Sequence, residues 1–306
     1  MNNLLRSRAV VLIVGAALAL SAGCSTAPQP IPDGVSTREK QRTPLEATGG
    51  QLLYIAEYFA GDVKIYSLPR VQNVGAITGI EHPQGVAVDP TGNVYVVDQA
   101  TNNIYVFRKG ETRPFKTLID RKGIAFQVAV GNDGTVYVSN EFNRHLGNGN
   151  ILEYAHGSRT PTLVLTDPTF STVEDVALDP NGNLYVTYDN AHVVGKVMEY
   201  APGSTKGVQL RPTLRAAGGI AFDAAADLLL CDQTAPGVKI FAQGARMPKL
   251  VFAQGQIDPF DLALTKDHNN VFVTDPRSGN TYEYALPSGT LERTIVNQAG
   301  VSGIAI

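Results

Sequence analysis

The chain has 306 residues, 43% hydrophobic and 17% charged, with 25 Lys and Arg against 28 Asp and Glu for a formal net charge of −3. That mildly acidic balance, without a basic stripe, argues against a nucleic-acid partner. Two cysteines, Cys24 and Cys231, exclude a disulfide scaffold, while 30 Gly and 18 Pro suit a turn-rich fold.

The N-terminus reads as an address. Arg6 and Arg8 precede an apolar run over residues 9–22, shorter than the roughly 20 residues a spanning helix needs. The run ends in Leu20-Ser21-Ala22-Gly23-Cys24, which resembles the bacterial lipobox. The resemblance implies that residues 1–23 are a lipoprotein signal peptide and that Cys24 is lipidated on sulfur and becomes the mature N-terminus. The expected location is extracytoplasmic, in the cell envelope, with the membrane engaged through the lipid anchor. Each buried CH₂ of an acyl chain contributes about 0.8 kcal/mol, so two or more chains attach firmly. Ser25 follows the cysteine where an aspartate could stand, which points to the outer membrane if the host has two. Residues 24–50 lack periodicity and carry Pro28, Pro30, Pro32 and Pro44, the composition of a flexible tether.

Beyond the tether an apolar–alanine–apolar run recurs six times: Val86-Ala87-Val88, Val128-Ala129-Val130, Val176-Ala177-Leu178, Ile220-Ala221-Phe222, Leu262-Ala263-Leu264 and Ile304-Ala305-Ile306. The central alanines are 42, 48, 44, 42 and 42 residues apart, a period typical of propeller blades. In the clearest unit, Val86-Ala87-Val88 and Val94-Tyr95-Val96-Val97 flank the turn Asp89-Pro90-Thr91-Gly92-Asn93, a hairpin signature. The turn recurs at Gly131-Asn132-Asp133-Gly134 and Asp179-Pro180-Asn181-Gly182, then decays at Asp223-Ala224-Ala225-Ala226-Asp227 and Thr265-Lys266-Asp267-His268-Asn269-Asn270. A third strand follows each hairpin, as in Thr281-Tyr282-Glu283-Tyr284, where alternation suggests one buried and one wetter face. A more variable fourth strand follows, for example Leu163-Val164-Leu165.

The first unit, Leu52 to Glu57 and Val63 to Tyr66, lacks a preceding apolar–alanine–apolar run, whereas the chain ends on one. Residues 51–306 are therefore expected to be all-β: a six-bladed β-propeller with four antiparallel strands per blade, the first blade closed by the C-terminal strand. Closure leaves no long edge exposed, and a closed single body is expected to be monomeric. The unit from Pro83 to Phe107 resembles an NHL repeat, and the body from Gln51 to Ile306 resembles six-bladed NHL-type propellers. It departs from the pattern at Asn103, where a basic residue is common, and in the fifth blade's turn. Such a resemblance implies shape more than activity.

Strand order places the ends of the second strands and the starts of the innermost strands at one mouth of the channel. The second strands end at Glu57, Asp98, Asn140, Tyr188 with Asp189, Asp232 and Asp275. The innermost strands start at Gln84, Gln127, Glu174 with Asp175, Gly219, Asp261 and Ser302. Three roles suit this acidic mouth: capping backbone groups where strands end, a hard-cation site for Ca²⁺ or another divalent ion, or a polar cup for a small ligand or peptide. A longer connection, residues 140–150, adds Arg144 and His145 to the same mouth, and long loops on rigid scaffolds often carry recognition. The ligand-binding candidates are thus Glu57, Asp98, Asn140, Arg144, His145, Asp189, Asp232 and Asp275.

The more distant gluconolactonase and virginiamycin B lyase-like propellers are metal-dependent, and that resemblance would make Glu57, Asn140, Asp232 and Asp275 a metal set. The motifs around the metal ligands of those families are not recognisable in this chain. His82, His145, His156, His192 and His268 are scattered, with no nucleophile-and-base arrangement. Cys231 lies inside a strand pattern, as a small core residue does. The expected function is a tethered module binding a protein or cell-envelope polymer. A metal-dependent hydrolase or lyase, or a structural platform in an envelope assembly, are the alternatives.

Overall fold

The computed structural model describes residues 50–306, apart from 144–146, 236, 255–257 and 299. The expected signal peptide, Cys24 and the expected tether, up to residue 49, lie outside the described residues. Among the described residues, twenty-four strands form six four-stranded antiparallel sheets, each a blade. In blade one the innermost strand is Val301–Ala305, followed outward by Leu52–Glu57, Asp62–Ser67 and Gln72–Thr78. The other innermost strands are Pro83–Val88, Gly123–Val130, Thr172–Leu178, Ala217–Phe222 and Leu262–Leu264, for blades two to six. The expected closure is present: Tyr54 pairs with Ala305 and Ile55 with Ile304.

One hydrophobic cluster fills each blade interface. Val94 and Val96 pack with blade one, whereas Tyr95 and Val97, on the opposite face of the same strand, pack with blade three. Period-two alternation thus serves two buried faces, because every sheet is sandwiched between neighbours. This corrects the expectation of one wetter face on the third strand. Glu283 is buried and pairs with Arg293 Nε at 3.3 Å, while Tyr282 is the more exposed residue.

The hairpin turns obey one geometry even where their sequence decays. Asp89 Oδ1 accepts from the Thr91 and Asn93 amides, both at 2.9 Å. Asp223 Oδ1 accepts from Ala225 and Asp227 at 2.8 and 2.9 Å. The left-handed position held by Gly92 and Gly182 is filled by Ala226 and His268 in blades five and six, with φ of 59° and 56°.

Candidate functional site

The two mouths of the propeller differ in how their polar groups are used. At the strand-end mouth most predicted carboxylates cap backbone. Asp98 Oδ1 accepts from the His82 and Ala100 amides at 3.0 and 3.2 Å, and Oδ2 from Thr101 Oγ1 at 2.9 Å. Asp232 accepts from the Arg215, Ala216 and Ala235 amides and from Lys239 Nζ at 2.5 Å. Asp189 takes the Ala217 amide of the next blade at 2.8 Å, and Asp275 takes the Arg277 amide at 3.0 Å. Glu57 Oε1 accepts from the Gln298 amide at 3.1 Å, with Lys64 Nζ 3.6 Å from Oε2. Asn140 donates to Asn150 Oδ1 at 2.9 Å, and its own Oδ1 is buried without a hydrogen-bond partner.

The structure does not gather Glu57, Asn140, Asp232 and Asp275 into a metal set. Among the described residues no three His, Cys, Asp or Glu side chains are grouped to hold a metal ion. The physical reason is that each group stands at the end of a different blade and is engaged there. Arg144 and His145 lie outside the described residues. The connection expected over residues 140–150 is partly strand: Val136–Asn143 continues past Asn140, pairing Ala125 with Asn140 and Gly123 with Asn143.

Just inside this mouth the channel is sealed. Blades three and six stand opposite each other in the ring. Phe126 meets Phe260 edge-on across it, with ring centroids 5.6 Å apart. Gln127 Nε2 reaches Asp261 Oδ2 at 3.1 Å across the same gap. Asp261 also accepts the Leu262 amide at 2.7 Å and the Ile304 amide of blade one at 3.0 Å. Asp175 accepts Val176 and, from blade five, Ile220, at 2.7 and 2.9 Å. Glycines fill the corresponding positions in the other three blades. A Cβ at Gly85 would stand 2.6 Å from Gln127 Oε1, and one at Gly303 would meet the Gln84 carbonyl.

Burial, and then the charge of Asp261, hold Asp175 well above the usual carboxylate range. Burial likewise pushes Asp261 up to about 7 against its hydrogen bonds, so at neutral pH the pair does not carry two full charges. Burial also raises the thiol of Cys231, leaving it a poor nucleophile in keeping with a core role.

Gln127, Asp175 and Asp261 are at the expected mouth, where capping of backbone groups was one of three expected roles, but none of them is among the eight ligand-binding candidates. The signal was present: the residue before each apolar–alanine–apolar run is Gly303, Gly85, Gln127, Asp175, Gly219 or Asp261. Only glycine or a hydrogen-bonding side chain fits a position that faces the crowded axis. The aromatic rim was missed outright. Tyr58 and Phe59 leave the end of the second strand of blade one, with rings 5.1 Å apart at 88°. Tyr58 stacks on His82 at 4.5 Å and donates to Gln99 Oε1 at 2.9 Å.

The turn-side mouth is open by contrast. A cavity of about 960 Å³ lies among the turns of blades three to five, with Tyr137, Glu153, Asp179 and Asp223 in its wall. A second, of about 370 Å³, reaches Ile306 and Gly50, where the described chain begins. A third, of about 520 Å³, has an apolar floor of Ile240, Leu250 and Leu286 between blades five and six.

Residues 81–107 match the family model of the NHL repeat, so the chain carries an NHL repeat within a six-bladed β-propeller. Among solved structures, the chain is similar to one in the crystal structure of a nidogen/laminin complex, at 21% identity. That match covers 83% of this chain and 97% of that one, with a TM-score of 0.68. It is also similar to a chain of the Kuenenia stuttgartiensis hydrazine synthase, at 12% identity, 80% and 83% coverage and a TM-score of 0.59. At these identities the likeness is one of fold. No curated protein sequence matches the chain.

Proposed function

We propose that the chain is a lipid-anchored, extracytoplasmic propeller that recognises a protein, or a polymer of the cell envelope, at its strand-end mouth. The observation that carries this is the seal beneath that mouth. With Phe126 against Phe260 and Gln127 bonded to Asp261, an approaching molecule meets a surface and not a tunnel. Surfaces of this kind suit macromolecular partners, while small substrates favour concave, enclosed sites. One similar propeller belongs to a complex of two proteins, nidogen and laminin. The metal-dependent hydrolase or lyase is the weaker alternative, since the four residues that would serve it are not assembled and most of them cap strand ends.

Site-specific photo-crosslinking in cells tests the choice of mouth. A photoreactive residue at exposed Arg277 on the strand-end side should capture a partner, and one at exposed Lys109 on the turn side should not. Capture from Lys109 alone would reverse the assignment. The anchor is tested separately. Cys24→Ser should abolish palmitate incorporation and shift the protein from the membrane to the soluble fraction, and unchanged partitioning would refute lipidation.

A further inference from the structure

We infer that the strand-end rim at blades one and two holds a preformed recess for a cationic side chain, an arginine or lysine presented by a protein partner. This names the chemistry of the partner and rests on the protein-binding reading of that mouth. The recess is built from a short turn. Ala60 and Gly61 donate to the Glu57 carbonyl at 3.1 and 3.0 Å, and Tyr58 N donates to the Gly300 carbonyl at 2.8 Å. Those bonds fix two successive aromatic residues at the rim.

Phe59 is 69% exposed, the most exposed aromatic side chain among the large hydrophobics of the described body. It is nonetheless held in place. Its ring lies over Gly300, where a Cβ would collide with it and where φ is +86°. Tyr58 is locked between the His82 ring and its hydrogen bond to Gln99. The two rings meet at 88° and form a corner. An exposed apolar ring held rigidly carries little ordering cost when a partner arrives.

The charge around the corner is negative. Burial first, and then the charges of Asp98 and Glu141, raise the hydroxyl of Tyr58, so both carboxylates lie within electrostatic reach of its ring. Asp98 is occupied by two amides and Thr101 but still contributes its field. Glu141, on the second strand of blade three, is different. It is partly buried, and burial alone pushes its carboxyl up to about 7. Among the described residues no cation offsets that burial. A partly desolvated carboxylate within electrostatic reach of Tyr58 favours a positive charge, and a cation over Tyr or Phe gains further from the ring quadrupole. The planar guanidinium of arginine can stack on a ring and pair with a carboxylate at once.

The test uses the full chain, with ¹³C-labelled Tyr and Phe rings, at pH 8. N-acetyl-arginine methylamide is the probe, and the neutral isostere N-acetyl-citrulline methylamide is the control. Saturable shifts of the Tyr58 and Phe59 ring signals are expected with arginine and not with citrulline. Affinity should fall at least 5-fold in Glu141→Gln, which keeps the shape of the side chain, and in Phe59→Ala, which trims an exposed ring. Equal shifts with citrulline, no saturable shift, or undiminished affinity in either variant would overturn the recess. Crosslinking from Arg277 reports on the wider mouth. Capture there without arginine binding sinks the recess alone, and arginine binding without capture sinks the partner assignment alone.

Discussion

The two mouths draw on the same repeat and the same residue types, yet they spend their carboxylates differently. On the turn side each aspartate serves its own hairpin, as Asp89 does with Thr91 and Asn93, and Asp179 with Asn181 and Asn183 at 2.9 and 2.8 Å. The ties between blades there are solvent-exposed: Lys266 N donates to Gln51 Oε1 and Arg293 Nη1 to the Pro69 carbonyl, both at 3.2 Å and both from blade six to blade one, and cavities remain between the turns. Inside the strand-end mouth the partners are remote in sequence. Asp175 takes an amide of blade five, Asp189 another, and Asp261 an amide of blade one. Hydroxyls continue the pattern: Ser139, Thr187 and Thr274 donate to Glu174, Gly218 and Ser302 of the following blades. Local partners make turns and distant partners make closure. That division seals one end of the channel and leaves the other open.

The sharpest way to break this comparison is Asp261→Ala. It orphans the Leu262 amide, the Ile304 amide and Gln127 Nε2 in a buried site. Each unsatisfied buried donor costs about 1–3 kcal/mol. Relief of the repulsion on Asp175 returns part of this, so the expected loss is about 3–5 kcal/mol in a urea titration. Asp275→Ala, which releases one amide at the rim, should cost about 1 kcal/mol on the same scale. Equal losses would show that the remote bonds carry no special weight.

Proton linkage sharpens the same contrast. Asp175, Asp261 and Glu141 have raised carboxyls in the folded state. The native protein therefore binds more protons than the unfolded chain above about pH 4, and stability falls as pH rises from there through about 7. The turn aspartates Asp89, Asp133 and Asp267 are held low. At Asp89 hydrogen bonds outweigh an opposing burial, and at Asp133 and Asp267 the hydrogen bonds of the turn dominate. Their contribution is present above about pH 4 and is lost as pH falls below it. Unfolding midpoints measured from pH 3 to 8 should peak near pH 4–5. A profile that climbs steadily to pH 8 would contradict the protonated pair at the axis.

What the sequence revealed follows the same line. Blade number, hairpin turns and the strand exchange that closes the ring were legible because they repeat, and because alternating burial is a local pattern. Cys231 also fell where its strand pattern put it, fully buried. The site was harder to read. Aspartates at strand ends look alike in sequence whether they cap an amide or face a ligand. The choice depends on which backbone group of the next blade lies opposite, as with Asp189 and Ala217. Tyr58 has no aromatic counterpart just past the other second-strand ends and Phe59 is matched there only by Phe142, so periodicity could not mark the pair. Gly85 and Gly303 carried more information than their place in a strand suggested. Gly85→Ala would press a Cβ to within 2.7 Å of the Gln127 Cα and the Phe126 carbonyl. Because those are backbone atoms, we expect a loss of about 1–3 kcal/mol. A loss below about 0.5 kcal/mol would show that the axis has room for a methyl group at this position.

The smallest effect concerns the decayed turn of blade five. Ala226 holds φ at 59°, with its amide bonded to the Asp223 carbonyl at 2.9 Å. Gly92 makes the same bond to Asp89 at 2.9 Å and Gly182 to Asp179 at 3.0 Å, with φ of 86° and 82°. A left-handed alanine costs roughly 1–2 kcal/mol in Cβ sterics. Glycine removes that cost but adds about 0.5–1 kcal/mol of chain entropy on folding. Ala226→Gly should therefore stabilise the protein by about 0.5 kcal/mol, read as a shift in the urea midpoint at unchanged slope. The Asp223 carboxylate already holds the Ala225 and Asp227 amides, so the turn survives without its glycine. Destabilisation by the substitution would mean that the Ala226 methyl packs against the cavity it lines, and that the turn side has a wall worth preserving.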